Sequence, residues 1–232
     1  DFVRRMFDRI AGRYDLLNHL LSAGIDVRWR RKAVRLLAPQ PGWRILDLAT
    51  GTGDFDFEAA AQGSEQVTGV DLSIPMLRVG FQKRRGRAVG LLCGDAEELP
   101  FRAGTFDGVT IGFGIRNVAR LSVGLREMWR VLRPGGRAAI LEFSKPRTPV
   151  LSHLYTVYFK HLLPRIGALT TDERALSHGS LWAKEWYDLR FAQRHVTMSS
   201  QALSGCVLTL TGRLAMFRAE LATAPGFIRT VE

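Results

Sequence analysis

Three short stretches of this chain carry residue types that could hold a small charged ligand. The first is Ile45-Leu-Asp-Leu-Ala-Thr-Gly-Thr-Gly-Asp54. Gly51 and Gly53 let a backbone turn sharply and approach a ligand with no β-carbon in the way. Asp47 precedes them inside the apolar run, and Thr52 stands between them. A dinucleotide fingerprint would place a third glycine at position 56, where it serves close helix–strand packing beside a pyrophosphate. Here that residue is Asp56, and Asp54 opens the next helix. Both features argue against an anionic pyrophosphate and fit a cationic ligand with an amino group and a sulfonium. The second stretch is Gly69-Val-Asp71, about 20 residues further on, where a carboxylate can accept hydrogen bonds from both ribose hydroxyls. The third is Cys93-Gly-Asp-Ala96, in which Asp95 could meet an adenine amino group. Any one of these acids is read equally well as a turn former or helix cap. In this order, at successive strand ends, they read together as a nucleoside cradle.

The elements that must position them follow from hydrophobic spacing. Phe7, Ile10, Tyr14, Leu17 and Leu21 recur every three or four residues, which places them on one helical face. Gly12 weakens the middle of that run and predicts two short helices. A third helix is predicted over Val27–Leu37, closed by Pro39 and Pro41. From Trp43 onward short apolar strands alternate with helices. The strands are Arg44–Ala49, Gln66–Leu72, Ala88–Cys93, Phe106–Phe113 and Arg137–Phe143. Helices follow the glycine loop, cover Ile74–Lys83, and carry Leu125, Met128, Trp129 and Leu132 up to Pro134-Gly-Gly136. Such alternation specifies a Rossmann-like α/β fold, a mostly parallel sheet with helices on both faces. A helix over Val150–Leu163 and an antiparallel hairpin of Val207–Thr211 with Leu214–Glu220 complete the expected architecture. Thr171–Ser204 has no clean period. The whole reads as one domain: a helical cap (1–38), a cofactor-binding core (43–144), and a substrate cover with a terminal hairpin (145–232).

Composition agrees with a globular protein, at 46% hydrophobic and 24% charged residues. No apolar run is long enough to span a bilayer, and no charged-then-apolar leader opens the chain. Cys93 and Cys206 give neither a disulfide framework nor a metal spacing, so a cytoplasmic location is expected. Cys93, in an apolar run, reads as a small core residue. The 33 basic against 22 acidic residues leave a formal charge of +11. Such an excess attracts anionic surfaces, membrane or nucleic acid, or simply solvates the chain. Its densest clusters are Arg28-Trp-Arg-Arg-Lys32 and Lys83-Arg-Arg-Gly-Arg87.

Three stretches together resemble the ubiquinone/menaquinone biosynthesis C-methyltransferases of the class I methyltransferase superfamily. Met6-Phe-Asp-Arg-Ile-Ala-Gly-Arg-Tyr14-Asp-Leu-Leu-Asn18-His-Leu-Leu-Ser22, running on to Trp29-Arg-Arg31, is similar to the family's amino-terminal signature. Gly112-Phe-Gly-Ile-Arg116-Asn117-Val is similar to its motif after the fourth strand. Arg130-Val-Leu-Arg-Pro-Gly-Gly136 through Leu141-Glu-Phe-Ser144-Lys-Pro146 is similar to its second signature. The resemblance covers residues 2 to about 170 and implies methyl transfer from S-adenosylmethionine to a ring carbon of a prenylated hydroquinone. Carried over by motif, Thr52, Asp71, Asp95, Ala96 and Gly112 would contact the cofactor. The sequence departs from the family at Gly112, usually Ser, at Asp26, commonly His, and along Thr171–Ser204.

Carbon methylation of a hydroquinone requires the ring carbon in line with the sulfonium methyl, exclusion of water, and a favoured phenolate. Phenolate and sulfonium neutralise each other during transfer, so the reaction does not call for a metal. Arg116 could stabilise the phenolate or position a water as base, and Asn117 could orient the ring oxygen. The competing reading pairs Arg116 with a carboxylate such as Glu142, shaping the loop alone. Tyr14 and Asn18, one turn apart, could line the site, although Tyr14 also fits the apolar face and reads as core packing. The aromatic run Leu151–Phe159 could cover an isoprenoid tail or be simply buried. A prenylated quinol resides in the bilayer, so transient docking on an anionic membrane is expected. A nucleic-acid methyltransferase is the main alternative. Against it, the Asn/Asp-Pro-Pro-aromatic run of base amino-methylators is replaced by Gly112-Phe-Gly-Ile115, and Cys93 lies in a strand, not a catalytic loop. A non-catalytic cofactor-binding relative is the other, motivated by Thr171–Ser204.

Overall fold

A computed structural model of the chain describes residues 2–22, 24–142, 214–218 and 229–231. The amino-terminal part forms α1 (Phe2–Ile10) and α2 (Tyr14–Leu21), joined by a 3-10 turn over Ala11–Arg13, then α3 (Ile25–Leu37). The break falls at Gly12, where helix propensity is lowest. α3 starts two residues earlier than predicted. Gly24, at a φ of 73°, ends α2 by donating its N–H to the His19 carbonyl and lets the next helix begin at once.

The alternating part follows as β1 (Arg44–Leu48), α4 (Asp54–Ala61), β2 (Gln66–Asp71), α5 (Ile74–Lys83), β3 (Val89–Cys93), β4 (Phe106–Gly112), α6 (Leu121–Val131) and β5 (Leu132–Leu141). These five strands are parallel, in the order β3-β2-β1-β4-β5. The strand order reverses at β1, whose neighbours are β2 and β4. Two further described strands, β6 (Leu214–Arg218) and β7 (Arg229–Val231), pair antiparallel beyond β5. The expected outer hairpin strand Val207–Thr211, the helix over Val150–Leu163 and the segment Thr171–Ser204 lie outside the described residues, as does Cys206.

Ile45, Leu46 and Leu48 of β1 are fully buried, with Val109 and Ile111 of β4 beside them and Val34 and Leu37 of α3 among the same core residues. α3 lies so close to β4 that a β-carbon at Gly108 would come 3.1 Å from Leu37 Cδ2. Arg137 Nη1 donates to the Leu37 carbonyl at 3.0 Å, satisfying an acceptor that the end of α3 leaves open. Among the described residues no helix is long and apolar enough to cross a membrane.

Two expectations are corrected. Pro134-Gly-Gly136 does not separate α6 from a strand beginning at Arg137. β5 starts at Leu132, paired with Phe106, and the ladder resumes at Arg137 opposite Gly108. The intervening residues bulge out of the ladder with Gly135 at a φ of 79°. Cys93 is exposed rather than part of the core. β3 is the outermost strand, buried at Val89 and open at Gly90, Leu92 and Cys93. Apolar spacing reports a strand, but position in the sheet decides how much of it is covered.

Packing against β2 gives a direct test. A β-carbon at Gly69 would lie 2.5 Å from Asp56 Oδ2, 2.7 Å from Thr50 Oγ1 and 2.9 Å from Leu91 Cδ2, whereas one at Gly90 would meet nothing nearer than 3.8 Å. Gly69→Ala is expected to lose about 1–3 kcal/mol in urea unfolding, the cost of overpacking. Gly90→Ala is expected to stay within about 0.5 kcal/mol of the parent. Equal midpoints for the two variants would contradict this packing.

Candidate active site

The loop after β1 crosses the carboxyl edge of the sheet at the strand-order switch, where open α/β sheets bind ligands. Gly51 and Gly53 have φ of 57° and 82°, a region that side-chain-bearing residues rarely enter. Beneath the loop lie two buried carboxyl groups. Asp47 accepts a hydrogen bond from the Thr110 hydroxyl at 2.5 Å, and Asp56 is bonded to the Thr50 hydroxyl. Burial pushes the Asp47 carboxyl up to about 7 against the hydroxyls of Thr110 and Thr50. Burial, reinforced by the charge of Asp47, holds Asp56 well above the carboxylate range. Two adjacent desolvated carboxyls cannot both ionise cheaply, so the pair retains a proton.

These positions revise the reading of the loop's acids. Asp56 does not face a ligand; it packs α4 against β2, the task that a third glycine performs in a dinucleotide fold. Asp54 lies between Lys83, at 2.6 Å, and Arg30, at 3.2 Å, so its charge is already compensated. The electrostatic case against a pyrophosphate is therefore weaker than the sequence implied. Asp47 likewise sits under the loop rather than at its surface.

Asp71, at the end of β2, ties the loop to the neighbouring strand. Its Oδ2 accepts from the Gly51 N–H at 2.8 Å and its Oδ1 from the Ser73 N–H at 2.7 Å. Burial raises its pKa, and those two amides act against the rise. Each oxygen keeps lone-pair capacity for a further donor. Asp95 is exposed past β3, accepting from the Glu97 N–H at 2.9 Å, and Ala96 is half-buried. Gly112 ends β4, where a β-carbon would approach Phe55 Cδ2 to 2.7 Å. The Phe55 ring thus fills the room a serine side chain would need.

The amino-terminal helices close on this edge. Tyr14 packs edge-to-face on Phe7 with ring centroids 5.8 Å apart, and its Cε1 would lie 3.8 Å from a β-carbon at Gly51. Burial raises the Tyr14 hydroxyl pKa; a hydrogen bond with Asn18 and the charges of Arg116 and Arg30 oppose this, and Asp71 adds to it. Tyr14 is both a packing residue and a polar neighbour of Asn18, Arg116 and Asp71. Sequence reasoning missed the contacts that hold the helices there. The Ser73 hydroxyl donates to Asp8 at 2.5 Å, and Lys83 Nζ donates to Asp15 at 2.6 Å and to Thr52 Oγ1 at 3.1 Å. The Thr52 hydroxyl in turn donates to Asp15. Asp26 is buried with Arg30, Ser22 and His19 around it. Burial raises its pKa, but those three partners together hold it below the usual range. The sequence signal for this set was three isolated acids, Asp8, Asp15 and Asp26, spaced along the first helices.

Arg116 lies in a 3-10 turn (Ile115–Asn117) past β4 and donates to Glu142 Oε1 at 2.5 Å. Glu142, directly after β5, is 2% exposed. The loop-shaping pair is therefore present, with the same guanidinium near Tyr14. Asn117 is exposed, and its backbone N–H donates to the Gly114 carbonyl at 2.9 Å. His153, His161 and the run Leu151–Phe159 lie outside the described residues.

The buried pair makes stability depend on pH. Asp47 is raised in the folded chain, so its native form keeps a proton that the unfolded chain releases near about pH 4. Its contribution is full below that value and is lost as pH rises to about 7. Asp47→Asn should remove part of the fall in Tm between pH 4 and 7, measured by thermal unfolding across that range. A slope identical to the parent's would place the proton elsewhere.

With this geometry in view, comparisons with known proteins are specific. Residues 1–180 match the ubiE/COQ5 methyltransferase family. A shorter match, over residues 151–231, is to the glycosyltransferase like family 2. The first match ends inside Thr171–Ser204, the segment whose sequence departs from the family pattern. The ubiquinone/menaquinone biosynthesis C-methyltransferase UbiE of Syntrophotalea carbinolica is 54% identical over 176 residues, covering 74% of each chain. The demethylmenaquinone methyltransferase of Thermus thermophilus is 50% identical over 168 residues, 71% of this chain and 76% of that one. Among solved structures, a SAM-dependent methyltransferase of Thermotoga maritima superimposes with a TM-score of 0.51 at 24% identity, covering 68% of this chain and 70% of that one, which supports the fold alone. The chain belongs to the ubiE/COQ5 methyltransferase family.

Proposed function

We propose that this protein methylates a ring carbon of a membrane-resident prenylated hydroquinone, converting demethylmenaquinol to menaquinol, with the ubiquinone-pathway benzoquinol as a second acceptor. The coarser activity, S-adenosylmethionine-dependent C-methylation in quinone biosynthesis, follows from family membership and from the names its relatives carry. The observation that carries the reading is the family match running unbroken through the glycine loop, Asp71, Asp95 and Arg116. The cradle fits the cofactor: Gly51 turns without a β-carbon, and Asp71 has lone pairs left beside it.

S-adenosylmethionine, when bound, supplies an electrophilic methyl group on a sulfonium. In this proposal Asp71 receives the ribose hydroxyls and Asp95 the adenine amino group. Gly51, Thr52, Gly53, Ala96 and Gly112 offer backbone to the same ligand, while Asp47 supports the loop from below. The Thr52 hydroxyl is engaged with Asp15 and Lys83, which leaves its backbone for this role. Arg116 stabilises the phenolate that forms when the quinol loses its hydroxyl proton, and Asn117 orients the ring oxygen. Tyr14 and Asn18 line the ring's approach. Glu142 fixes the guanidinium plane and so positions Arg116 without touching substrate. The antiparallel strands β6 and β7 extend the sheet edge beyond β5. The protein docks transiently on an anionic membrane to reach its acceptor, and nucleic acid is not a partner.

Two experiments test this reading. Asp71→Ala should weaken S-adenosylmethionine binding by about 1.5–3 kcal/mol, the scale of a hydrogen bond to a charged group, measured by calorimetry. NAD should not shift the Tm of the parent. Unchanged affinity in the variant would remove Asp71 from the pocket. Arg116→Ala should lower turnover of a short-chain demethylmenaquinol by about 10²-fold per folded molecule, the scale of one preorganised electrostatic donor, with cofactor affinity nearly constant. It should also melt earlier, because Glu142 loses its cation. Arg116→Lys should restore little, since an ammonium lacks the planar fork. A destabilised variant with normal turnover per folded molecule would confine Arg116 to shaping the loop.

A further inference from the structure

α5 turns one face toward Asp71 and the core and a different face outward. Met76, Leu77 and Gly80 are buried, and Lys83 reaches Asp15 and Asp54. Ile74, Arg78 and Phe81, spaced four and three residues apart, fall on the opposite side, and Arg85 follows in the turn just beyond the helix. Ile74 is 51% exposed and Phe81 56%; Arg78 between them and Arg85 beyond the helix end are exposed too. Arg84 lies over the Phe81 ring, 4.0 Å from its centroid. Leu72, just before the helix, is also exposed, next to Ser73 and Asp71 at the carboxyl edge of β2. From residue 72 to residue 94 the sequence holds five basic residues and no acidic one. Elsewhere many arginines are paired with acids: Arg30, Arg116, Arg120, Arg130 and Arg133 all have carboxylate partners.

We propose that the outer face of α5, with Leu72, is the surface that seats this protein on an anionic lipid bilayer. The proposal rests on the membrane-resident acceptor above and names the face that meets the membrane. Charge complementarity selects the occupant. Apolar side chains flanked by arginines on the helix face and in the turn that follows suit the headgroup boundary, where rings and aliphatic chains enter the acyl edge and guanidinium groups stay with the phosphates. A soluble acidic partner would match the arginines but would gain nothing from Ile74, Phe81 and Leu72. The face begins beside Asp71, so seating it brings the mouth of the site to the lipid surface, and a prenylated ring has only a short path to travel.

The test is co-sedimentation of the full chain with phosphatidylcholine vesicles containing or lacking phosphatidylglycerol, at low and high salt. The parent should partition onto the anionic vesicles and be released only in part by salt, the apolar contribution remaining. Arg78→Glu/Arg85→Glu should lower that partitioning by about tenfold or more, from the loss of attraction at a negatively charged surface. Ile74→Ser/Phe81→Ser should lower it at high salt as well, where the electrostatic part is screened. Arg28→Glu/Lys32→Glu, in the other dense basic cluster, should bind nearly as the parent does. Turnover of a short-chain soluble quinol should be unchanged in the α5 variants. Should charge reversal impair folding, Arg78→Gln/Arg85→Gln puts the same question more gently. A parent that ignores anionic vesicles would overturn membrane docking itself. A parent that binds while the α5 variants bind equally, or loses binding only in the Arg28/Lys32 variant, would overturn this face and leave docking standing.

Discussion

The Gly51 amide donates to the Asp71 carboxylate across the gap between β1 and β2, and the shape of the site hangs on that bond. A loop entering the left-handed region twice within three residues is not rigid by itself, because glycine resists no rotation. Anchoring one of its amides to a half-buried carboxylate on the next strand fixes where the turn lies. The same carboxylate holds the Ser73 amide at the start of α5, so one side chain sets the loop, the end of β2 and the helix that follows. Asp71 therefore has structural work before any ligand arrives, and a ligand hydroxyl meets an acceptor already aimed.

Under that loop, polar groups stand where an apolar core would be expected. Asp47, Thr50, Asp56 and Thr110 bond to one another between β1, α4 and β4. Burying a carboxyl unpaired is costly, and a retained proton turns it into a neutral hydrogen-bonding group that burial tolerates. Gly69 leaves the space into which Asp56 fits. The network gives the loop a specific seat rather than a greasy one, which is consistent with a site that must hold its backbone at a fixed distance from a ligand.

Over the loop, charged contacts tie the helical cap to the rim, beside the apolar packing of α3 on the sheet. Asp8 reaches Ser73, Asp15 reaches Thr52 and Lys83, and Arg30 reaches Asp54. Each contact joins a cap helix to a residue at the rim of the cradle. Removing one partner strands a partly desolvated charge, so these contacts resist exchange more than exposed pairs would. They also bring Tyr14 and Asn18 toward Arg116, which no helix of the cap could do alone.

Much of this was written locally in the sequence. Strand and helix alternation, the glycine turn and the acids closing β2 and β3 could be read from spacing, because backbone geometry and side-chain period act within a few residues. Other features depended on which strand lies beside which. Cys93 looks like a core residue until β3 is found at the sheet edge, and Pro134-Gly-Gly136 looks like a stop until β4 and β5 are aligned around it. Asp56 stands where a dinucleotide fold has its third glycine, yet its place between α4 and β2 buries it completely beside Asp47. Asp8 and Ser73 are 65 residues apart, Asp15 and Lys83 68, Arg116 and Glu142 26. A charged residue in a sequence of many opposite charges does not name its partner. Pairing is chosen by the chain path, and so is the loss of water that makes one ion pair matter more than another. The sequence alone determined the order of elements and the chemistry at the strand ends, while the tertiary structure decided which charges meet, which are buried and which face outward.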